Sequence, residues 1–389
     1  MKARGMMVRV GVIATAVANL WCSSEDDATP PPAADGGADT GAPNDAGHTD
    51  MDDSGLPQVA TCNEAFCRVT PPGAETVALD GVLAKSPSDV WIVGSTGYAA
   101  RFDGTTWQRV ATGTKATIFA VAGSADGTVW GASGGDSFLV LSRQADGGVE
   151  SVDGGFSGIV RAIATVGAKE AWAVGDAFMN FFEDPPPPID FIWRYAPTPG
   201  GAESDWSWQP VSPPCPAGEF EQPECLKLNA VWTESPQRVW FAGDEGKIFR
   251  ADTSALDAGG DEPGRLELEE MNSSSLRNLE SLWGFGPSDV WAVGAQGVIR
   301  HYAGGDAWTV VPSPVTADLH AVWGSRTDDV WAAGDDGVVL HWDGNAWSVV
   351  PTPYDTEIRP RLYAISGARG AVWIAGEGTL LRTLEGADR

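Results

Sequence analysis

A short apolar run built around a tryptophan occurs seven times along the chain and sets the period of everything after residue 57. Aligned on that tryptophan, the copies are Trp91, Trp130, Trp172, Trp240, Trp291, Trp331 and Trp373. Four of the six spacings between them lie between 39 and 42 residues, and the other two are longer. The base period is therefore about 40 residues, and two copies carry insertions.

The copy at residues 319–353 shows what each repeat contains. It reads as four short apolar runs, AVW, DVWAAG, VVLHW and AWSVV, separated by turns rich in Gly, Asp and Ser, which is typical of a four-stranded antiparallel meander. The second run is apolar at successive positions from Val330 to Ala333, so both of its faces must be buried, and another copy of the same sheet is the natural cover. A period of about 40 to 50 residues with four strands per copy predicts a seven-bladed β-propeller, an all-β fold, over residues 58–389.

The two ends of this region complement each other. The seventh copy ends after TLLRTLEG without a fourth run, whereas residues 66–72, FCRVTPP, have the character of a fourth run and precede the first copy. Pairing these segments would close the ring and leave no open sheet edge. We therefore predict that a strand from the amino-terminal side completes the last blade.

The first 22 residues are typical of an export signal. Three basic residues flank it: Lys2, Arg4 and Arg9. A short apolar stretch follows from Val10 to Trp21 and ends at Cys22, which resembles a bacterial lipoprotein signal. The resemblance implies lipidation of Cys22, and ordinary secretion is the alternative. The chain departs from that family's cleavage box at Asn19 and Trp21, where the family has Leu and a small residue.

Residues 23–57 are predicted to be a disordered tether between this signal and the propeller. The segment 23–60 holds nine acidic residues, no Lys or Arg, and much Pro, Gly and Ala. Such a composition cannot bury enough apolar surface to fold. Signal and tether together predict an exported protein of the cell envelope or outer membrane, attached to a membrane only through a lipid anchor.

Five cysteines agree with export. They divide into Cys22 and two close pairs, Cys62 with Cys67 and Cys215 with Cys225, which is the number that one lipidated residue and two local disulfides require. The spacings are not C-x-x-C, and no His lies near a Cys in the sequence, so neither a metal site nor a cofactor is expected. No nucleophile-elbow or phosphate-loop motif is present.

Two turns have the pattern D-G-x-x-W, at residues 103–107 and 343–347. They resemble the Asp-box (BNR repeat) of sialidase-type propellers, S-x-D-x-G-x-x-W, but lack the residue between Asp and Gly. In that family the box is a structural hairpin away from the active site, so the resemblance implies a fold and no catalysis. The repeat pattern also resembles propellers of the photosystem II stability and assembly factor type and secreted bacterial repeat proteins, over most of residues 58–389.

A glycosidase of the sialidase-like type is the alternative function. That class needs an Arg cluster and a Tyr/Glu nucleophile pair, so an enzyme should place two carboxylates or such a pair within about 10 Å at the ring centre. The repeated residues favour structural roles instead. The seven aligned Trp are expected to be core, because each lies inside an apolar run. A surface ladder is expected from the third-run residues Arg101, Arg250, His301 and His341.

The predicted binding site combines loops on one face. The turn between the second and third strands and the connection to the next blade emerge on the same side, because the chain reverses at every strand. Two long departures from the repeat, residues 178–190 and 212–226, are of these two kinds. The first carries an apolar cluster beside a proline run: Phe178, Met179, Phe181 and Phe182. Acidic turns on the same side form a rim: Asp244, Glu245, Asp335 and Asp336.

These features predict a non-catalytic binding or assembly scaffold with a protein or peptide partner. A net charge of −28 excludes a general nucleic-acid binder and leaves cationic partners open, so a basic partner would suit the acidic rim. An alternative for the Phe cluster is that it folds back to plug the ring or cover the third blade. Calcium is not expected in the acidic turns, because Asp and Gly are what tight hairpins demand.

Overall fold

A computed structural model describes the fold of most of the repeat region. The described residues are 50–51, 57–58, 61–142, 149–177, 191–198, 201–202, 205–213, 225–257, 264–354 and 359–384. They form strands joined by turns, with single turns of 3₁₀ helix between some of them. None of their helical segments is long and apolar enough to cross a bilayer.

The amino-terminal part contributes three strands. Strands β1 (Asp50–Met51) and β2 (Pro57–Gln58) pair with each other in an antiparallel manner. Strand β3 (Phe66–Val69) belongs to a different sheet, described below.

The first repeat folds as a four-stranded antiparallel meander. Its strands in order are β4 (Leu79–Ser86), β5 (Asp89–Gly94), β6 (Tyr98–Phe102) and β7 (Trp107–Arg109).

The second and third repeats share one six-stranded sheet. Its strands are β8 (Ile118–Gly123), β9 (Val129–Ser142), β10 (Glu150–Val166), β11 (Glu170–Ala177), β12 (Ile192–Pro197) and β13 (Trp206–Pro210). The start of β9 pairs with β8 and its end pairs with the start of β10, while the end of β10 pairs with β11. One long strand therefore covers the second and third runs of the second repeat, and the next joins its fourth run to the following repeat.

Three further repeats form separate four-stranded meanders. The fourth has strands β14 (Leu228–Ser235), β15 (Arg238–Gly243), β16 (Ile248–Asp252) and β17 (Glu269–Met271). The fifth has strands β18 (Leu279–Gly286), β19 (Asp289–Gly294), β20 (Val298–Tyr302) and β21 (Thr309–Val311). The sixth has strands β22 (Leu319–Arg326), β23 (Asp329–Gly334), β24 (Val339–Trp342) and β25 (Trp347–Val349).

The seventh repeat is completed by a strand from the other end of the chain. It contains β26 (Leu362–Ala368), β27 (Ala371–Gly376) and β28 (Thr379–Thr383). Strand β28 pairs with β3, with Leu380 opposite Val69 and Thr383 opposite Phe66. The predicted terminal closure is confirmed, and it removes the open edge that β28 would otherwise present.

The first strands of the repeats form a closed ring. In order these are β4, β8, β10, β14, β18, β22 and β26; each contacts the next, and β26 contacts β4. The predicted all-β propeller is thus confirmed. The count of seven blades stays a prediction. It rests on these seven innermost strands, although the described residues of the repeats form six sheets apart from the β1–β2 pair.

A glycine ends the second strand of most repeats because the first strand passes too close for a side chain. A Cβ at Gly94 would lie 2.0 Å from the Ala78 carbonyl oxygen, and one at Gly334 would lie 1.9 Å from that of Asp318. The turn that follows takes a left-handed residue in four repeats: Thr96, Glu245, Gln296 and Asp336, each with φ of 57° or 58°. The G-x-x-G pattern therefore encodes one tight turn used repeatedly.

The aligned tryptophans are core, as predicted. All seven are buried, and most pack against aromatic residues of the next repeat. The ring of Trp291, for example, lies 5.1 Å from that of Trp342 and 5.5 Å from that of Trp347, centroid to centroid. Adjacent repeats are therefore joined by aromatic contacts between their sheets.

The predicted surface ladder of third-strand residues needs a correction. Besides being partly exposed, these side chains pack on the core Trp: Arg101, Arg250, His301 and His341. Each lies directly opposite the Trp of its own repeat: Arg101 opposite Trp91 and His341 opposite Trp331. Arg101 lies over the Trp91 ring, and His341 lies 4.3 Å from the Trp331 ring. His341 also bonds to Asp329 at 2.8 Å, which with Ser325 and Trp331 lowers the pKa of Asp329 to about 2. These third-strand side chains therefore pack on the core Trp, the arginines through their guanidinium groups and the histidines through ring contacts.

Candidate functional site

The innermost strands enclose a central cavity of about 520 Å³. Each innermost strand has a β-bulge where it begins to pair with the second strand of its repeat, because one residue is skipped between two paired residues. The bulge is at the second residue of six of these strands and at Arg161 within the long strand β10. Bulges redirect side chains and are common at binding sites. The seven bulged residues all line the cavity: Asp80, Phe119, Arg161, Asn229, Glu280, His320 and Tyr363. We call this set the mouth ring.

Four mouth-ring side chains bond to an acidic residue at the end of the second strand or in the turn after it, in the same repeat. The pairs are Arg161 with Asp176 at 2.8 Å, Asn229 with Asp244 at 3.0 Å, His320 with Asp335 at 2.8 Å and Tyr363 with Glu377 at 2.9 Å. The mouth ring therefore lies on the face of the molecule that carries these turns. The four acidic groups are also engaged by the ring rather than free in solvent.

Two mouth-ring carboxyls lack this arrangement. The turn residue that would face Asp80 is Ser95, which instead accepts a hydrogen bond from the Ala78 backbone N–H. The corresponding residue for Glu280 is Ala295, which has no side-chain donor. Among the described residues, neither carboxyl therefore receives a side-chain hydrogen bond from its own turn.

Burial perturbs both groups. One carboxylate oxygen of Asp80 is buried without a hydrogen-bond partner among the described residues. Desolvation raises the pKa of Asp80 from 3.8 to about 7. Burial also raises the pKa of Glu280, with the charge of His320 acting in the opposite direction. A cation placed between these groups would remove the cost of ionising them.

The other end of the cavity carries large aromatic side chains together with Thr165, Thr233 and Ser366. Its wall includes three tryptophans from consecutive repeats, Trp232, Trp283 and Trp323. Gly284 leaves room for the Trp232 ring, since a Cβ there would lie 2.6 Å from it, and Gly367 does the same for Trp323. The cavity thus combines a polar mouth with an aromatic floor, a combination that suits ligand binding.

The predicted acidic rim divides into two kinds of residue. Asp244 and Asp335 are half-buried and bond to the mouth ring. Glu245 and Asp336 occupy the left-handed position of the turn and are exposed. The four residues therefore surround the mouth, with two facing the ring and two facing solvent.

The predicted apolar cluster lies outside the described residues, as does Cys22. The cluster comprises Phe178, Met179, Phe181 and Phe182. Its predicted position assumed that the second-to-third turn lies beside the connection to the next repeat, and the fourth repeat shows whether this holds. The Glu245 backbone N–H donates to Asn278, which precedes the first strand of the next repeat, at 3.1 Å. The second-to-third turn and the connection to the next repeat are thus neighbours at this position.

The insertion after Ala251 begins on the opposite face. Thr253, near its start, bonds through its hydroxyl to the Pro236 carbonyl oxygen, in the turn between the first and second strands. That turn lies at the other end of the meander from the mouth ring. The insertion therefore starts on the face away from the acidic turns.

One of the two predicted disulfides is present. Cys62 and Cys67 are bonded, next to strand β3. Cys225 is also disulfide-bonded, while Cys215, its predicted partner, lies outside the described residues. No cluster of three or more metal-ligating side chains occurs in the described part of the chain.

A Tyr/Glu pair does occur at the mouth, which bears on the glycosidase alternative. The Tyr363 hydroxyl donates to Glu377 at 2.9 Å. Burial and the bond to Glu377 raise the pKa of Tyr363 to about 12. A phenol that holds its proton this tightly is a poor nucleophile at neutral pH.

Sequence reasoning missed Asp80 and Glu280. The available signal was the second letter of the first run, which is polar in LHAVW, LESLW and LNAVW although its neighbours are apolar. A polar residue at one fixed position of an apolar strand, in most copies, indicates a shared exposed environment. Only the ring closure shows that these positions converge.

Comparison with known proteins supports the fold and assigns no function. No family model and no curated protein matches the chain. Among solved structures it is similar to YCF48 bound to D1 peptide, with 17% identity, a TM-score of 0.56, and coverage of 83% of this chain and 96% of that one. It is also similar to the WD40 propeller domain of Doa1, with 11% identity, a TM-score of 0.58, and coverage of 83% and 97%.

A third similar structure is virginiamycin B lyase from Staphylococcus aureus, with 15% identity, a TM-score of 0.58, and coverage of 82% and 99%. These proteins share the propeller and have different functions, so identity at this level indicates the fold alone. The chain is a β-propeller that resembles the photosystem II assembly factor YCF48 among others.

Proposed function

We propose that this protein is a non-catalytic binding scaffold whose mouth ring takes a basic side chain from a protein or peptide partner. The observation that carries the proposal is the pair of half-buried carboxyls, Asp80 and Glu280, that receive no hydrogen bond from their own turns among the described residues. A Lys or Arg side chain entering the mouth supplies both the charge and the hydrogen bonds that they lack.

The shape of the cavity suits a peptide side chain. The polar mouth would hold the charged group, while the aromatic floor would pack against the aliphatic stem of the same Lys or Arg. The acidic turns around the mouth, including Asp244 and Asp335, would attract basic segments over a longer range. YCF48 has been solved with a D1 peptide, which shows that a propeller of this general build can hold a peptide.

We further propose that the scaffold works at the cell envelope after export, with Cys22 as its lipid attachment point. The support is the signal-like segment 1–22, the acidic tether and the disulfide between Cys62 and Cys67, since such bonds persist in oxidising compartments. Intact-mass analysis of the envelope-extracted protein tests this, and an uncleaved chain with a free Cys22 would reject it.

The binding test uses two acetylated pentapeptides, GGKGG and GGQGG, in isothermal titration calorimetry at low salt. We expect the lysine peptide to bind one to one and the glutamine peptide to show no heat. The double variant Asp80→Asn, Glu280→Gln should weaken the lysine peptide at least about tenfold, which corresponds to about 1.4 kcal/mol.

The control variant removes the same number of charges elsewhere. Asp306 and Glu64 are both exposed, so Asp306→Asn with Glu64→Gln should leave the affinity nearly unchanged. Equal weakening by both double variants would mean that net charge alone attracts the peptide. Binding of GGQGG as tightly as GGKGG would refute a cation site at the mouth.

A glycosidase is a second candidate, favoured only by the pair Tyr363 and Glu377 at the mouth. The test is hydrolysis of 4-methylumbelliferyl glycosides by the protein and by Tyr363→Phe. Turnover that is lost in Tyr363→Phe would favour the enzyme. We expect no turnover, because the raised pKa of Tyr363 disfavours the phenolate.

A further inference from the structure

We propose that a second site, between the sixth and seventh repeats, binds a small organic carboxylate with a flat apolar part. The site is a cavity of about 380 Å³. It lies at the first-to-second turns, on the face opposite the mouth ring, because its lining includes Arg326 and Arg369 from those turns. It is therefore independent of the function proposed above.

The cavity exists because one repeat lacks the usual aromatic pair. At four other junctions the core Trp packs against an aromatic residue on the third strand of the next repeat and a Trp on or next to its fourth strand. The triples are Trp130 with Tyr195 and Trp208, Trp240 with Tyr302 and Trp308, Trp291 with Trp342 and Trp347, and Trp373 with Phe102 and Trp107. The register places Trp342 opposite Trp347 and, in the seventh repeat, Thr383 opposite Phe66.

Trp331 therefore meets smaller neighbours than its counterparts. Thr383 stands where the first, third, fifth and sixth repeats have Phe, Tyr or Trp, and Phe66 stands where those repeats have Trp, with its ring 6.0 Å from that of Trp331. Trp331 is 8% exposed, whereas the other six aligned tryptophans are 3% exposed or less. The loss of aromatic volume leaves the space beside Trp331.

The fourth repeat also lacks an aromatic residue at this position, but other side chains fill the space there. In the fourth repeat, Ala251 occupies the third-strand position, since it lies opposite Val239 as Trp342 lies opposite Val330. There Leu256 and Leu266, from the insertion, pack into the same core cluster as Ala251. The sixth-to-seventh junction has no such filling among the described residues, and a cavity results.

The lining has the opposite charge to the rest of the protein. It includes Arg326, Arg369 and Arg382, in a chain whose net charge is −28. The one acidic residue of the lining, Asp329, accepts bonds from Ser325, Trp331 and His341. Arg326 pairs with Asp328, outside the lining, at 2.9 Å. The arginines of the lining therefore outnumber its carboxylates, and guanidinium groups bind planar carboxylates well.

The apolar walls define the rest of the ligand. Trp323 and Trp331 line the cavity together with Val350 and Val372. A volume of about 380 Å³ lies in the range of small-molecule sites, which combine apolar walls with a few placed polar groups. A flat ring bearing a carboxylate meets both requirements, since the ring can contact the indoles while the carboxylate meets the arginines.

The test compares 2-naphthoate with 2-naphthamide, which has the same shape and no charge, by isothermal titration calorimetry on the whole chain. We expect naphthoate to bind one to one and naphthamide to bind at least about tenfold more weakly. Arg369→Gln should weaken naphthoate by about tenfold and leave naphthamide unchanged. The charge-matched control is Arg277→Gln, at an exposed residue that does not line the cavity.

A second pair of variants tests the origin of the cavity. Thr383→Phe restores the residue type that the first repeat has at Phe102, and it should abolish naphthoate binding by filling the space. Thr383→Ser keeps the hydroxyl, which accepts a hydrogen bond from the Val372 N–H, and should retain binding. If Thr383→Phe fails to fold, the Arg369→Gln result still decides the proposal.

Three outcomes would overturn the proposal. Equal affinity for naphthoate and naphthamide would remove the carboxylate assignment, and full binding by a folded Thr383→Phe would place the ligand elsewhere. The third outcome concerns a variant truncated after Leu384, which lines the cavity and is followed directly by residues 385–389. If naphthoate binds to the truncated variant and not to the whole chain, residues 385–389 compete for the cavity.

Discussion

The replacement of Asp80 by Asn is the most direct test of the electrostatics at the mouth. Asp80 is half-buried, and one of its carboxylate oxygens has no hydrogen-bond partner among the described residues. Burial raises its pKa from 3.8 to about 7. The carboxyl is therefore easier to protonate in the folded protein than in the unfolded chain, and its ionisation opposes folding.

The magnitude follows from the shift. A change of about three pKa units corresponds to about 4 kcal/mol at about 1.36 kcal/mol per unit. Because the side chain is partly exposed, solvent screening reduces this figure to about 2 kcal/mol. Well below pH 3.8 the carboxyl is protonated in both states and no destabilisation arises. Between pH 4 and pH 7 the unfolded chain ionises while the folded protein does not, so stability is lost over this window and levels off above it.

Urea unfolding at pH 4, 5.5, 7 and 8.5 measures the effect. The difference in unfolding free energy between Asp80→Asn and the parent protein should be near zero at pH 4 and should rise to about 2 kcal/mol in favour of the variant at pH 8.5. Asp306→Asn is the matched control, because Asp306 is exposed. Its difference from the parent should not follow the same course between pH 4 and pH 7.

A flat difference across this range would refute the reasoning. It would mean that Asp80 is ionised in the folded protein at ordinary pH, through a donor or solvent access that its surroundings do not indicate. A stabilisation that appears only below pH 4 would reverse the sign of the shift and would be equally damaging.

Three further expectations concern the scaffold. A chain that begins at residue 73 lacks strand β3 and exposes the edge of β28, so its melting temperature should fall well below that of a chain beginning at residue 61, and it should self-associate. Trp240→Ala removes a fully buried ring that packs on Tyr302 and Trp308 and should cost about 3 to 5 kcal/mol in urea unfolding, whereas Leu276→Ala, at a residue 89% exposed, should change stability by less than about 0.5 kcal/mol. Opening the Cys62–Cys67 bond with Cys67→Ser should cost about 2 kcal/mol, because the loop that it closes is short.

The sequence predicted the propeller and its closure because both depend on local patterns. Each strand is an apolar run between turn residues, and the missing fourth run of the seventh repeat is matched by residues 66–72. The shared sheet of the second and third repeats was not predicted. Its long strands β9 and β10 depend on hydrogen bonds between repeats, such as Gly158 with Gly135, which no pattern within one repeat reveals.

The contact between the third-strand residues, such as Arg101 and His301, and the core Trp was not predicted for a related reason. The alternation of polar and apolar residues suggested an outward polar face, but alternation does not identify the residue across the strand pair. The register sets Arg101 opposite Trp91 and His301 opposite Trp291. Counting outward from the tight G-x-x-G turn would have given this register, because the turn length fixes the pairing.

The mouth ring could not be predicted from the sequence either, because its residues are far apart in the chain. Asp80 and Glu280 are 200 positions apart in the chain, and only the closure of the ring brings their strands around one cavity. The bulge that redirects each side chain also has no sequence signature of its own at these positions. Sequence could indicate that the second letter of the first run is special, but not that its seven copies form one site.

Both proposed sites arise where one repeat departs from the others. In a repeated scaffold each group is satisfied by the same partner in every copy, so a departure leaves a group or a volume without its partner from within the chain. Ser95, in place of an acidic turn residue, leaves one Asp80 oxygen without a hydrogen-bond partner among the described residues. Thr383, in place of an aromatic residue, leaves the space beside Trp331.

The two departures create sites of opposite charge, which predicts different responses to pH. Raising the pH from 5 to 8 should strengthen lysine-peptide binding at the mouth, because Asp80 ionises with a pKa of about 7. Naphthoate binding at the arginine-lined cavity should not strengthen over the same range, since guanidinium groups keep their charge. A parallel rise at both sites would show that a shared change in the fold, rather than the ionisation of Asp80, controls the mouth.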